Sequence, residues 1–255
     1  MTGQGEPHVG AIFIAYNAAT TLEQFWKDFP RDRVRTAILV DDASRDGTFE
    51  LAQRLGIQSY RNAVNLGYGG NMKRALSIAR ELGMDIIIDL HPDGEYDPAA
   101  VPLALERMKA GADFVLGNRF RTTTAPLQSG MYVWKLLPIV VLNAVARFVL
   151  AVPLQDLHQG FRVYSRRLVT ELDYEQCSNG YLFSFELIAQ AVLAGKRIDQ
   201  VPVQTRYTGK KRGASLKDSM VYSLGVFRVL ALFLLARAGL RTRLFRGLRA
   251  PKADA

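Results

Sequence analysis

The residue types best suited to chemistry are gathered in one stretch. His91, Asp93 and Glu95 lie in Asp89-Leu90-His91-Pro92-Asp93-Gly94-Glu95-Tyr96-Asp97-Pro98, directly after Ile86-Ile87-Ile88. Three consecutive isoleucines suit a strand buried on both faces. In open α/β sheets, ligands bind beyond the carboxyl ends of such strands. Side chains alternate along an extended segment, so His91 and Asp93 would face the same way, beside one cation. Imidazole nitrogen with carboxylate oxygen suits a divalent ion such as Mn2+ better than calcium. A pair of ligands binds weakly, so a substrate diphosphate would complete the shell, as at many Mg2+ sites. The same residues also suit an ordinary strand–turn junction, because Pro, Asp and Gly are turn formers.

Other candidates are spread along the chain. Asp41-Asp42 closes a short apolar run, where carboxylates can accept hydrogen bonds from a base or a ribose. Ser44 or Asp46, just beyond, is placed to cap the next helix. Gly67, Gly69 and Gly70 match neither the dinucleotide fingerprint nor the P-loop, so those readings are weak. Arg119, Arg162, Lys210, Lys211 and Arg212 flank expected strand ends; singly they are surface charges, together they could bind two phosphate groups.

The elements that must position these residues alternate. Strands are expected at 9–16, 37–40, 57–60, 84–90 and 112–117. Helices are expected between them, the first capped by Asn17 and running to Phe29, with others at 71–82 and 98–110. This pattern predicts an α/β fold with a mostly parallel sheet and helices on both faces. Further on, 161–164 reads as a short strand and 181–194 as an amphipathic helix. A strand follows at 198–207, with Pro202 marking an edge or a bulge. Residues 131–152 form a long apolar segment in which Lys135, Asn143 and Arg147 would share one helical face, and Pro138 should kink the helix or mark its start. Residues 219–240 are strongly apolar but carry Arg228, and 241–255 form a basic tail.

Length and composition bound the function. The chain has 255 residues, 49% hydrophobic and 22% charged, enough for a substantial core. Its net charge of +9 suits anionic lipid or phosphorylated small molecules. A nucleic-acid role would rest on charge alone, since no recognition module is visible. The single cysteine, Cys177, fits a reducing compartment. The polar first ten residues carry no apolar signal region, which leads to the expectation of a cytoplasmic protein.

The ordered set Ala15-Tyr16-Asn17, Val40-Asp41-Asp42-Ala43-Ser44-Arg45-Asp46-Gly47-Thr48, Asn65-Leu66-Gly67-Tyr68-Gly69, His91 to Pro98, Gly117-Asn118-Arg119 and Gly160-Phe161-Arg162-Val163-Tyr164 resembles glycosyltransferase family 2. More narrowly it resembles the dolichyl- or polyprenyl-phosphate mannose synthase branch, over roughly residues 9–220. The resemblance implies a GT-A fold over 9–218, a GDP- or UDP-sugar donor and a divalent cation, Mn2+ or Mg2+. It implies that Ala15, Tyr16 and Asp42 line the base and ribose pocket, with Asn71 and Lys210 near the nucleotide. Asp93 matches the second carboxylate of the D-x-D metal motif, and His91 stands where the first would be. Glu95 stands for a Gln of the His-Pro-Asp-Gly-Gln-Tyr variant, and Ala18 for a Glu common after Tyr-Asn. Arg119 matches an arginine near donor or acceptor phosphate.

The expected chemistry is inverting displacement at the anomeric carbon, with Asp93, Arg119 and Asp156 as the catalytic set. A lipid-phosphate acceptor is already anionic and needs no base; Arg119 and Arg162 would hold it. A sugar hydroxyl would need a carboxylate base, for which Asp156 and Glu186 are the candidates. Segment 131–152 and the basic tail suit attachment to the cytoplasmic membrane surface. Two other readings stay open: a soluble glycosyltransferase acting on a saccharide or small molecule, and a non-catalytic nucleotide-sugar-binding protein.

Overall fold

The computed structural model describes residues 6–120, 133–205 and 216–248. Strands β1 (Val9–Ala15), β2 (Thr36–Asp41), β3 (Gln58–Arg61), β4 (Ile86–Asp89), β5 (Phe114–Asn118), β6 (Arg162–Ser165) and β7 (Ile198–Pro202) form one seven-stranded sheet, in the order β3-β2-β1-β4-β6-β5-β7. The sheet is mostly parallel, as expected. The exception is β6, which runs antiparallel to both β4 and β5. That inversion carries consequences for the site, because it sets Arg162 directly opposite Asp89.

The helices are α1 (Ala19–Asp28), α2 (Thr48–Arg54), α3 (Gly67–Glu81), α4 (Val101–Lys109), α5 (Val133–Leu150), α6 (Arg166–Glu171), α7 (Phe183–Leu193) and α8 (Leu216–Arg237). Strand alternation divides the core. Ile12, Ile14, Ile38, Val40 and Ile87 pack under α3, α5, α7 and α8. Phe13, Leu39, Ile86 and Ile88 pack under α1, α2 and α4. The triple isoleucine is buried on both faces, as its sequence requires.

Several local expectations change. Asn17 does not cap α1: it has φ +52° and its Oδ1 accepts from the Arg45 N–H. The first amides of α1 are satisfied instead across the chain, Ala18 by Thr48 Oγ1 and Ala19 by Asp46 Oδ2. Helix α3 starts at Gly67, four residues before the expected start at 71, so Gly67, Gly69 and Gly70 form its first turn. Helix α7 is not amphipathic, since nearly all its residues are buried. Pro202 does lie on an edge strand, for β7 pairs with β5 alone.

Helices α5 and α8 place their apolar residues on two sides. Val226, Val229, Leu230 and Phe233 of α8, at helical spacing, face the core. Met220, Val221, Leu224, Phe227, Leu234 and Leu235 face outward, Leu224 at 69% exposure. On α5, Leu142, Ala146 and Leu150 face inward while Leu137, Val140, Val141 and Phe148 are exposed, Phe148 at 87%. Asn143 leaves the expected polar face of this helix: it is buried and its Oδ1 accepts from the Leu157 N–H. Pro138 lies inside α5 rather than at its start. The basic tail is partly docked, because Leu244 and Phe245 are buried and Gln190 Nε2 donates to the Leu244 carbonyl.

Candidate functional site

The carboxyl ends of β1, β2 and β4 meet three expected site segments. At the end of β2, both oxygens of Asp42 are engaged: Oδ1 accepts from Asn62 Nδ2 (2.7 Å) and the Leu66 N–H (2.8 Å), and Oδ2 from the Gly67 N–H (3.0 Å). This carboxylate therefore fills the anion position at the N-terminus of α3. Asn71 extends the same buried network, donating to the Val40 carbonyl and accepting from Asn62. Asp42 and Asn71 are buried in this framework, while Tyr16, at the end of β1, is 55% exposed. Ala15 is buried and its carbonyl accepts from the Asp42 N–H, which locks β1 to β2 at this rim.

The glycines of α3 also serve a packing need. A Cβ on Gly69 would lie 2.2 Å from the Ser178 carbonyl oxygen, and Gly67 has φ +78°. The Ser178–Asn179 loop thus seats directly on the first turn, its Asn179 carbonyl accepting from Gly69 and Gly70. Glu186, a candidate base, anchors this loop by accepting from the Ser178 N–H.

Beyond β4 the chain turns over Pro92 to Gly94, with Gly94 at φ +75°. The segment is therefore not extended, and His91 and Asp93 do not align as alternation would have it. His91 Nε2 is buried and lies 3.4 Å from Asp89 Oδ1, an ion-pair distance long for a hydrogen bond. Asp89, fully buried, also accepts from Tyr164 Oη (2.9 Å) and lies 3.8 Å from Arg162. Burial alone would lower the His91 pKa, but the adjacent Asp89 carboxylate, with the charge of Asp93, outweighs it and raises the value. Asp93 is exposed and its Oδ1 accepts from the Glu95 N–H. Burial, then the charge of Asp93, pushes the Glu95 carboxyl up.

The fit to a divalent cation follows from this geometry. Among the described residues, no three His, Cys, Asp or Glu side chains converge as a metal shell. His91 offers no accessible Nε2. Asp93 and Glu95, two neighbouring carboxylates on an open turn, fit a cation whose shell a diphosphate completes.

The arginines sit deeper. Arg119 makes a two-pronged contact with Asp156: Nε to Oδ2 (2.8 Å) and Nη2 to Oδ1 (3.0 Å). Its backbone N–H also donates to Asp156, and Nη2 donates to the His158 carbonyl. Burial alone would raise the Asp156 carboxyl, but the charge and hydrogen bonds of Arg119 hold it below its ordinary range. Asp156 is fully buried with both oxygens engaged, a geometry that positions Arg119 rather than one that abstracts a proton. Arg162 is buried among Tyr68 Oη and the carbonyls of Gln159 and Gly160. His158, pushed down to about 4 chiefly by burial, is neutral. Lys210, Lys211 and Arg212 lie outside the described residues.

The site contains residues that sequence reasoning missed: Asp89, Tyr68, Tyr164 and His158. For Asp89 a signal existed, a carboxylate closing an otherwise apolar strand. For the others the antiparallel β6 supplies the proximity, and nothing local announces it.

Residues 11–173, more than half of the chain, match the family model for glycosyl transferase family 2. The chain belongs to that family. The glycosyltransferase is 26% identical over 217 residues to a polyprenol monophosphomannose synthase of Mycolicibacterium smegmatis, covering 82% of this chain and 78% of the relative. It is 28% identical over 218 residues to an undecaprenyl-phosphate mannosyltransferase of Micrococcus luteus, covering 81% and 86%. In structure it is similar to glucosyl-3-phosphoglycerate synthase of M. tuberculosis, with TM-score 0.67 and 21% identity over 93% of this chain and 83% of that one. A complex of that synthase with Mn2+, UDP-glucose and phosphoglyceric acid matches with TM-score 0.66, 20% identity and coverage of 93% and 81%. The family 2 glycosyltransferase thus has the GT-A fold expected of it.

Proposed function

We propose that this glycosyltransferase moves a sugar from a GDP- or UDP-sugar to a polyprenyl or dolichyl phosphate at the cytoplasmic membrane surface. The observation that carries the reading is the pair of outward apolar sides on α5 and α8, close to a buried two-arginine cluster. The relatives named for polyprenol and undecaprenyl phosphate support it. So does charge: exposed Arg147, Arg228, Arg237, Arg241 and Arg246 border the apolar surface and suit anionic lipid at about 1 kcal/mol each near the surface. Helix α8 is long and apolar enough to cross a membrane, over Asp218–Arg237. Its inward side packs on the core and Leu244-Phe245 returns to it, so we read α8 as lying in the interface.

In this reading Tyr16 and the rim of β1 and β2 take the nucleoside. Asp93 and Glu95 would hold Mn2+ or Mg2+ with the donor diphosphate, where the ion neutralises charge on the leaving group. A phosphate oxygen of the acceptor attacks the anomeric carbon as the bond from that carbon to the diphosphate oxygen breaks, with inversion. The acceptor is anionic already, so no general base is required. Arg119, oriented by Asp156, and Arg162 supply the field that holds it. By the family resemblance, the cation of Lys210 would offset charge on the leaving diphosphate.

A second reading takes a small phosphorylated acceptor, favoured by the likeness to a synthase crystallised with phosphoglyceric acid. Purified protein should be assayed with GDP- and UDP-sugars, Mn2+ or Mg2+, and either acceptor class. Transfer to polyprenyl phosphate that disappears in Asp93→Ala supports the first reading. Transfer confined to the soluble acceptor supports the second, and no transfer or hydrolysis under any condition overturns both.

A further inference from the structure

We propose that Tyr222 of α8 is a positioning residue that links the membrane-facing side of the enzyme to the segment holding both arginines. The inference rests on the membrane reading above and assigns a part to a residue outside the site.

Arg119 and Arg162 depend on one short segment. The Asp156 carboxylate and the His158 carbonyl hold Arg119, while the Gln159 and Gly160 carbonyls hold Arg162. Residues 156–160 belong to no helix or strand, so no ladder fixes them. Among the described residues, three elements reach them with hydrogen bonds. Gln200 on β7 donates to the Asp156 carbonyl (2.8 Å). Asn143 on α5 accepts from the Leu157 N–H (2.9 Å). Tyr222 on α8 hydrogen-bonds His158 Nδ1 through its hydroxyl (2.9 Å). The Tyr222 ring meets the imidazole edge-on at 5.6 Å, and Phe185 lies along it at 5.1 Å.

Two of the three supports, α5 and α8, are the helices whose outward sides are apolar. Tyr222 itself lies between the exposed Val221 and Leu224. A force that seats α8 against lipid therefore reaches the carbonyls around the two guanidinium groups through one hydroxyl–imidazole bond. His158 is neutral, so a ring nitrogen can take part in that bond without an added charge. Removing the hydroxyl leaves the ring packing intact but cuts the polar link.

Hydrogen exchange tests the link. Wild type and Tyr222→Phe are compared with and without phosphatidylglycerol vesicles, following amides 156–162, together with KM values for donor and polyprenyl phosphate. Vesicles should slow exchange in this segment of wild type. Tyr222→Phe should bind vesicles equally, lose most of that slowing, and show an acceptor KM raised roughly fivefold, the factor of one net hydrogen bond, at unchanged donor KM. Three results overturn the proposal: wild type that does not bind vesicles, vesicle-bound wild type with unchanged exchange at 156–162, or a variant matching wild type in exchange and KM. If exchange couples as stated but no sugar reaches polyprenyl phosphate, the acceptor assignment fails and the link stands.

Discussion

Asp156→Asn is the perturbation whose size the structure fixes best. Asp156 is fully buried and Arg119 nearly so, and they share two side-chain hydrogen bonds of 2.8 and 3.0 Å and a third from the Arg119 backbone. Removing one charge of a buried pair costs about 3–5 kcal/mol, because the partner keeps its desolvation penalty. For a chain of this size, about 2–4 °C in melting temperature per kcal/mol gives a loss of roughly 6–20 °C. Urea unfolding and thermal melts measure it directly. The double variant Arg119→Met, Asp156→Leu should recover most of that stability, since apolar replacement of a buried pair is often neutral. It should not recover transfer, because the acceptor loses its cation. Asp156→Asn with wild-type stability would refute the assignment of Asp156 as the group that holds Arg119. A double variant with full transfer would refute the role given to Arg119.

Two further predictions rest on single residues. His158 is pushed down to about 4 by burial, with Arg119 and Arg162 adding and Asp156 opposing. The unfolded chain binds this proton first, near pH 6.5, so the stability His158 contributes is complete above that value and is lost as pH falls toward 4. Between pH 7.5 and 4.5 this amounts to about 2–3 kcal/mol, which His158→Gln should remove from the pH dependence in urea titrations. Equal pH slopes for both proteins would contradict the buried neutral state. Gly69→Ala should destabilise by about 1–3 kcal/mol, because its Cβ meets a backbone oxygen at 2.2 Å that only a shift of the 178–179 loop can relieve. A melting temperature within a degree of wild type would show that the loop gives freely.

Much of this architecture is legible in the sequence, and what is not has a common cause. The isoleucine run, the apolar stretches of β1 and β2, and the turn residues between them report the parallel half through local pattern alone. Strand β6 gives no sign of its direction, since four residues look the same run either way. That direction brings Arg162 opposite Asp89, and Asp89 in turn holds His91, which alternation had placed beside Asp93. The sequence marks Asp42 for the base or ribose and Asp156 for catalysis, yet their partners lie 24 and 37 residues away. Sequence spacing cannot tell a carboxylate that meets substrate from one that holds an amide or a guanidinium. The outward apolar sides of α5 and α8 were visible only as apolar content, because the side that faces the core depends on packing.

Transfer of the sugar to a lipid phosphate can be measured directly. Purified enzyme is incubated with labelled GDP-mannose, or another GDP- or UDP-sugar, with Mn2+ and polyprenyl phosphate in anionic vesicles, and label is followed into the organic phase. The expected product is an organic-soluble, acid-labile sugar phosphate of inverted anomeric configuration, absent with Asp93→Ala. Label that stays in the aqueous phase with every donor, while a soluble phosphorylated acceptor is glycosylated, would contradict it.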